Sequence, residues 1–256
     1  MTLIDRLTLF SQLDFAACAL LLLGWLGIGW RIENPPAGKP SVSELMSQFR
    51  REWMVQMVTR QPRIFDAQLI SNLRHGSAFF ASASMIAIGG GLALIGNTDQ
   101  LVGVARDLSL DMAPAFVWDV KIIFVLSLLS NAFLKYVWAH RLFGYCFVLM
   151  AAVPNSDDAP HVYDRAQQAA DLSITAARSF NRAMRSTYFA LATAAWLIGP
   201  EAWILTTLIT ISVLYRREFA SQSRRILQKL PANPEPPRHS AAARSDGGLS
   251  PTSHQL

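Results

Sequence analysis

Residues 78–96, AFFASASMIAIGGGLALIG, run for nineteen positions without a charge. A helix needs about 20 apolar residues to cross the hydrocarbon core of a bilayer, and in lipid a helix satisfies all of its own backbone hydrogen bonds. This stretch therefore sets the class of the protein as a membrane-spanning helical fold. Within it, Gly89, Gly90 and Gly91, with Ala81, Ser82, Ala83 and Ser84, suit either close approach to a neighbouring helix or local bending. The glycine triplet is not a phosphate loop, because no strand precedes it and no Lys-Ser or Lys-Thr follows.

The rest of the chain fits the same solvent. Of 256 residues, 52% are hydrophobic and 16% charged, against about 25% charged in soluble domains. The expectation is an all-α, polytopic transmembrane bundle with four hydrophobic regions, near 12–31, 76–97, 118–140 and 186–216, in one domain over 1–230. Pro231, Pro234, Pro236, Pro237 and Pro251 among Ser, Ala and Gly make 231–256 a disordered tail. The first region, Phe15 to Trp30 between Asp14 and Arg31, lacks a basic leader and a clean small-residue cleavage site, so it reads as a retained signal-anchor helix. Trp25 and Trp30 near its exit suit the interfacial aromatic belt. Cys18 and Cys146 sit in apolar surroundings and read as core fillers rather than a disulfide framework.

Polar helices join these regions. Pro35, Pro36, Gly38 and Pro40 break the first helix, and Ser41-Val-Ser-Glu44 has the form of a capping box. The helix it starts is amphipathic, with Val42, Leu45, Met46, Phe49, Trp53 and Met57 on one side and Arg50, Arg51, Glu52 and Gln56 on the others. It suits either the membrane surface or packing on the bundle. Pro62 ends it, and the next helix starts around Arg63. Asp99, Asp107 and Asp111 make the following connection acidic. The third region looks long, from Trp118 to Ala152, about 50 Å as a helix. An Ala-rich polar helix lies between Pro154 and Ser186, with Arg178, Arg182 and Arg185 at i, i+4 and i+7; after Tyr215 come Arg216-Arg217-Glu218 and then a basic helix to Leu230.

The Lys and Arg distribution sets orientation. There is 1 before the first region, 7 in the first loop, 1 in the second, 5 from Arg141 to Arg185 and 7 beyond residue 215. Basic segments stay in the cytoplasm, so the N-terminus is expected outside, with the first loop and the C-terminal tail cytoplasmic in an inner membrane. To return that tail to the cytoplasm, 186–216 must turn back at Gly199-Pro200-Glu201 as a tight hairpin. A single Pro-kinked helix is the alternative, and it would bury Glu201 at some cost.

Two constellations are candidate sites. Lys121, Ser127, Asn131 and Lys135, with Trp138, recur along the third region at roughly helical spacing. They form a polar seam in which Lys135 would pair with Glu201 or Asp14 along an ion or proton path; in the alternative, Asn131 bonds a neighbouring helix while Lys121 and Lys135 snorkel to opposite surfaces. Arg50, Arg51, Arg63, Arg178, Arg182, Arg185, Arg216 and Arg217 are expected at one cytoplasmic boundary, where they would bind anionic headgroups, determine topology, or pair with Glu52, Asp66 and Glu218. No catalytic, metal or cofactor motif is present, and His75, His140, His161, His239 and His254 form no ligand pattern. The expected partners are membrane lipids, a second copy or other membrane proteins, and not nucleic acid.

Several stretches resemble one family. They are Arg50-Arg51-Glu52-Trp53-Met54-Val55-Gln56-Met57, Arg63-Ile64-Phe65-Asp66, Phe79-Phe80-Ala81-Ser82, Trp138-Ala139-His140-Arg141-Leu142 with Tyr145, Arg178-Ser179-Phe180-Asn181-Arg182, Tyr188-Phe189-Ala190-Leu191-Ala192 and Leu214-Tyr215-Arg216-Arg217-Glu218-Phe219. Over roughly residues 10 to 225 they are similar to the domain-of-unknown-function family 599, uncharacterised multi-pass membrane proteins found mainly in bacteria. His140 departs from the expected Trp-Ala-x-Arg pattern. The resemblance implies a multi-pass membrane protein and carries over no activity or catalytic residue. The functional expectation is a structural or regulatory bundle that binds membrane partners or anionic lipid, with a small transporter or channel as the alternative.

Overall fold

A computed structural model describes residues 8–97 and 114–229, together with Arg6 and Gly103. The acidic connection and the tail beyond Lys229 lie outside the described residues. Among the described residues seven α-helices have defined bounds, in order: α1 (Gln12–Glu33), α2 (Val42–Thr59), α3 (Ile64–Ile95), α4 (Ala115–Ala151), α5 (Val162–Ala194), α6 (Pro200–Phe219) and α7 (Gln222–Gln228), with a short 3-10 turn at Ala195–Leu197 before α6. No strand occurs among the described residues.

Local chemistry sets the helix ends. Ser11 and Asp14 make a full capping box at α1, the Asp14 carboxylate accepting the Ser11 N–H at 2.8 Å and Ser11 Oγ accepting the Asp14 N–H at 3.2 Å. At α2 only half of the expected box forms. Ser41 Oγ accepts the Glu44 N–H at 3.2 Å while its hydroxyl donates to the Ile32 carbonyl at 2.9 Å. Glu44 does not reach back; instead the Glu218 carboxylate accepts the Ser43 N–H at 3.1 Å, so a distant residue completes the cap. α6 ends at Phe219, just past Arg216-Arg217-Glu218, and Ser221 caps the separate, short α7, which carries Arg224 and Arg225.

The 37-residue α4 is the central helix, packed along α3 on one side and α5 on the other. The alanines of the polar helix make the second contact. Ala166, Ala169, Ala170, Ala176 and Ala183 are fully buried, and side chains this small let two helix backbones approach closely. Tyr136 anchors the middle, stacked on Phe80 at 5.5 Å between ring centres and edge-on to Phe180 at 5.4 Å. On α3 the buried positions Asp66, Ile70, Ser77, Ala81 and Ser84 form a single stripe. Of the glycine triplet only Gly91 meets a neighbour, where a Cβ would lie 2.4 Å from the end of the Leu126 side chain.

Among the described residues three helices, α1, α3 and α4, are long and apolar enough to cross a membrane, one fewer than the four hydrophobic regions expected. The fourth region fails the requirement because it is divided. α5 is polar as far as Arg185, and the apolar part of α6 is confined between Glu201 and Arg216. The break falls at Gly199-Pro200, with Pro200 in the first helical turn, where its missing N–H costs nothing. From there α6 folds back on α5: Thr206 Oγ1 donates to the Ala192 carbonyl at 2.9 Å, and Arg217 donates to Tyr188 Oη at 3.2 Å. The 3-10 turn and α6 together run beside α1, from Trp196 of the turn near Asp14, through Ile211 of α6 against Gly24, to Phe219 under Arg31.

Large apolar side chains point outward. Leu23 is 72% exposed, Ile86 76% and Leu191 66%. Exposed large apolar side chains occur on every one of the long helices, a distribution that suits lipid better than water. Together with the three long apolar helices it marks a membrane protein.

Candidate functional site

The charged layer is built where α1 ends. Glu33, its last residue, receives Arg182 Nε at 2.8 Å and the terminal nitrogens of both Arg182 and Arg185. The i, i+4, i+7 spacing puts Arg178, Arg182 and Arg185 on neighbouring turns of α5, and Glu33 takes the upper two. Arg178 makes no ion pair or hydrogen bond with any described residue and faces a cavity of about 380 Å³.

Six helices wall this cavity, α1 through Ile32 and Glu33. α2 contributes Ser43, Glu44, Ser47 and Arg50; α3 contributes Asn72 and Gly76; α4 contributes Phe143; α5 contributes Arg178, Asn181 and Arg185; α6 contributes Arg217 and Glu218. Four arginines meet three carboxylates, but two carboxylates are already engaged. Glu33 holds Arg182 and Arg185, and Glu218, only 7% exposed, holds the start of α2 through the Ser43 N–H and hydroxyl, each at 3.1 Å. Glu44 forms no ion pair among the described residues. Arg50 is partly buried, and its hydrogen bond goes to the neutral hydroxyl of Ser173 at 2.8 Å. Burial pushes the Arg50 guanidinium down from its ordinary value, the mark of a cation desolvated without a matching anion. The cavity thus offers Arg50 and Arg178 as two guanidiniums without a carboxylate, beside Asn72 and Asn181 as further polar groups. Planar guanidiniums favour phosphate and carboxylate through paired N–H donors.

The remaining sequence candidates separate. Arg51 pairs with Asp171 at 3.3 Å in an exposed ion pair. Arg63 is a structural staple, donating to the carbonyls of Val58 at 3.0 Å, Val153 at 2.6 Å and Pro154 at 2.7 Å, which ties the α2–α3 turn to the end of α4. Arg216 is exposed and lines no part of the cavity. Asp66 is fully buried and takes Arg60 and the Trp53 indole N–H, the latter at 2.7 Å. The expected pairing of Asp66 and Glu218 with the eight arginines gives way to these contacts.

The polar seam does not assemble as one path. Lys121 is 4% exposed, with its ammonium 5.6 Å from the Trp118 ring centre and 5.7 Å from that of Trp196, within electrostatic reach of Asp14. Ser127 is exposed and returns its hydroxyl to the Ile123 carbonyl. Asn131 donates to Ser186 Oγ at 3.3 Å. Lys135 stands 5.6 Å over the Trp25 ring and lines a shallow opening with Glu33, Arg182 and Arg185. Trp138 is 50% exposed. Glu201 is exposed at the first turn of α6, at the opposite end of the hairpin from Lys135, and Asp14 accepts the Trp196 indole N–H at 2.6 Å. At 100° per residue, Ser127 lies about 240° round α4 from Lys121, and Lys135 lies about 21 Å along the axis from it. Similar spacing therefore put these residues on different faces and at different depths.

Sequence reasoning missed Glu33, Ser173 and Tyr188, which fix the arginine layer. A carboxylate closing an apolar helix is a usable signal for Glu33. Ser173 and Tyr188 carried none. No group of three or more His, Cys, Asp or Glu suited to a metal occurs among the described residues. Cys146 is buried, with its thiol donating to the Ala169 carbonyl at 3.3 Å, and Cys18 is half-buried and free.

No curated protein and no solved structure matches the chain. Residues 16–223, most of the helical bundle, match the profile of the family described as protein of unknown function, DUF599, and the chain belongs to that family.

Proposed function

We propose that this is a multi-pass inner-membrane protein that binds a phosphate-bearing anion in the arginine-lined cavity at its cytoplasmic boundary. The observation that carries the reading is the pair Arg50 and Arg178, both facing one cavity of about 380 Å³ without a carboxylate partner. Lipid headgroups and soluble phosphate esters share the chemistry this pair recognises. A phosphate there replaces water around Arg50 and gives Arg178 a counter-ion, and charge-assisted hydrogen bonds of this kind are worth about 1.5–3 kcal/mol each.

The same reading sets topology. α1, α3 and α4 cross, and the α5–α6 hairpin enters beside α1 and returns. Its outer face, with Leu191, Leu205 and Ile209 at 66%, 59% and 52% exposure, is apolar enough to meet lipid. Asp14 and Glu201 then face outside, and Glu33, α2 and Ser221 face the cytoplasm, consistent with the bias of Lys and Arg.

Glycerophosphate, added to the full chain purified in detergent, is expected to raise its unfolding temperature, while glycerol is not. In a Arg50→Ala, Arg178→Ala double variant that folds as the parent does, the shift is expected to vanish. A shift of the same size in that variant overturns the cavity as the site. For topology, single cysteines at positions 201 and 221 in a Cys18- and Cys146-free background are expected to label from outside and from the cytoplasm respectively. Labelling of 221 from outside overturns the hairpin crossing.

A further inference from the structure

We infer that the anion is the phosphate of a membrane glycerophospholipid, one acyl chain of which lies in the groove between α5 and α6. This rests on the proposed cavity and names the source of its phosphate. The groove has a volume of about 410 Å³ and begins at Arg217, which also lines the arginine cavity. The two spaces therefore share one guanidinium, held at the corner by the Tyr188 hydroxyl at 3.2 Å.

Beyond Arg217 the groove is apolar. Its walls include Leu191, Ile209, Val213 and Leu214, and its two threonines use their hydroxyls internally, Thr206 on the Ala192 and Ala202 carbonyls and Thr210 on the Thr206 carbonyl. Leu191, Ile209 and Val213 are 66%, 52% and 49% exposed, so the groove is open along its side. From Arg217 to Thr206 is eleven residues of α6, about 16 Å of helix. Half of the roughly 30 Å hydrocarbon core is about 15 Å. The groove thus runs from a charged boundary to the depth of one leaflet, the dimensions and polarity of a phospholipid with its phosphate at the top. A soluble phosphate ester makes no use of the apolar walls. A neutral lipid leaves Arg50 and Arg178 without a counter-ion.

The test uses the full chain in detergent with two probes, long-chain phosphatidylglycerol followed by native mass spectrometry and glycerophosphate followed by unfolding temperature. Val213→Trp and Ile209→Trp fill the groove at exposed positions that leave the buried core untouched. Each is expected to lower phosphatidylglycerol retention about tenfold, the equivalent of two displaced methylenes, with glycerophosphate binding changed less than about twofold. Unchanged retention in both variants overturns the acyl-chain assignment while the cavity still binds glycerophosphate. Failure of the parent chain to bind either probe removes the cavity reading and this inference with it. Unchanged retention accompanied by loss of a co-purifying protein makes the groove a protein interface and also overturns the assignment.

Discussion

The two ends of the bundle handle buried charge in opposite ways. At the Asp14 end, Lys121 is enclosed by the Trp118 and Trp196 rings, and Asp14 accepts the Trp196 indole N–H. Trp203 stacks on Trp196 at 4.2 Å and is fully buried, which seals the layer. At the Glu33 end the charges are more numerous, and their partners come from helices far apart in sequence, with Arg50 and Arg178 left facing an open cavity. Closing charge with large aromatic rings produces a rigid terminus. Closing it with flexible arginines and one shared carboxylate leaves room for a ligand, which is why the proposed binding is assigned to the second end.

The largest effect is expected where the rigid end is opened. Trp203→Ala removes a fully buried indole and leaves a cavity beside Trp196 and Phe124. A loss of about 4 kcal/mol in unfolding free energy is expected in detergent, with glycerophosphate binding unaltered in the folded fraction. Loss of binding in folded Trp203→Ala would show that the two ends are coupled rather than separate.

Next comes Glu33→Ala. It strands Arg185, whose side chain is only 8% exposed, and releases Arg182. Removing one partner of a buried ion pair costs about 3 kcal/mol. The same change gives the cavity another unneutralised guanidinium, so glycerophosphate is expected to bind more tightly, by several-fold, as stability falls. Opposite signs in the two measurements are the signature of a ligand site. Falling stability with unchanged binding would make Glu33 and its arginines merely a clamp between α1 and α5.

Asp14→Asn belongs in the middle of the range. It keeps the shape of the side chain but weakens the acceptor for the Trp196 indole and the capping box at Ser11. The expected loss is about 1.5 kcal/mol, typical of one hydrogen bond to a charged group, again without effect on anion binding.

Legibility in the sequence follows the range of the forces involved. α1, α3 and α4 were readable because lipid demands a long apolar run within one segment, and Pro62 and Gly199-Pro200 were readable because chain breaks are local. The three arginines of α5 were readable as a row. Their partner was not: Arg185 and Glu33 are 152 residues apart, and nothing in either neighbourhood encodes the pairing. The seam was ambiguous in the sequence for a related reason. A helix of 37 residues carries polar groups at both boundaries, and spacing alone does not separate a continuous face from two distant ends. The count of spans differed because the fourth region is divided at Gly199-Pro200 and the apolar part of α6 is confined between Glu201 and Arg216.

Arg51→Ala sets the lower limit of the comparison. Arg51 is adjacent to Arg50 in sequence and also reaches α5, but its partner Asp171 is exposed, the two side chains being 49% and 57% accessible. Water and salt screen such a pair, and its contribution is about 0.5 kcal/mol or less. The variant is therefore expected to unfold within about 0.5 kcal/mol of the parent and to bind glycerophosphate with parental affinity, whereas Arg50→Ala loses affinity. Two arginines one residue apart, with equal charge, would then differ only in whether they face water or the cavity. If both variants weaken binding equally, the effect comes from the summed positive field at the boundary, and the cavity has no special role in recognising the anion.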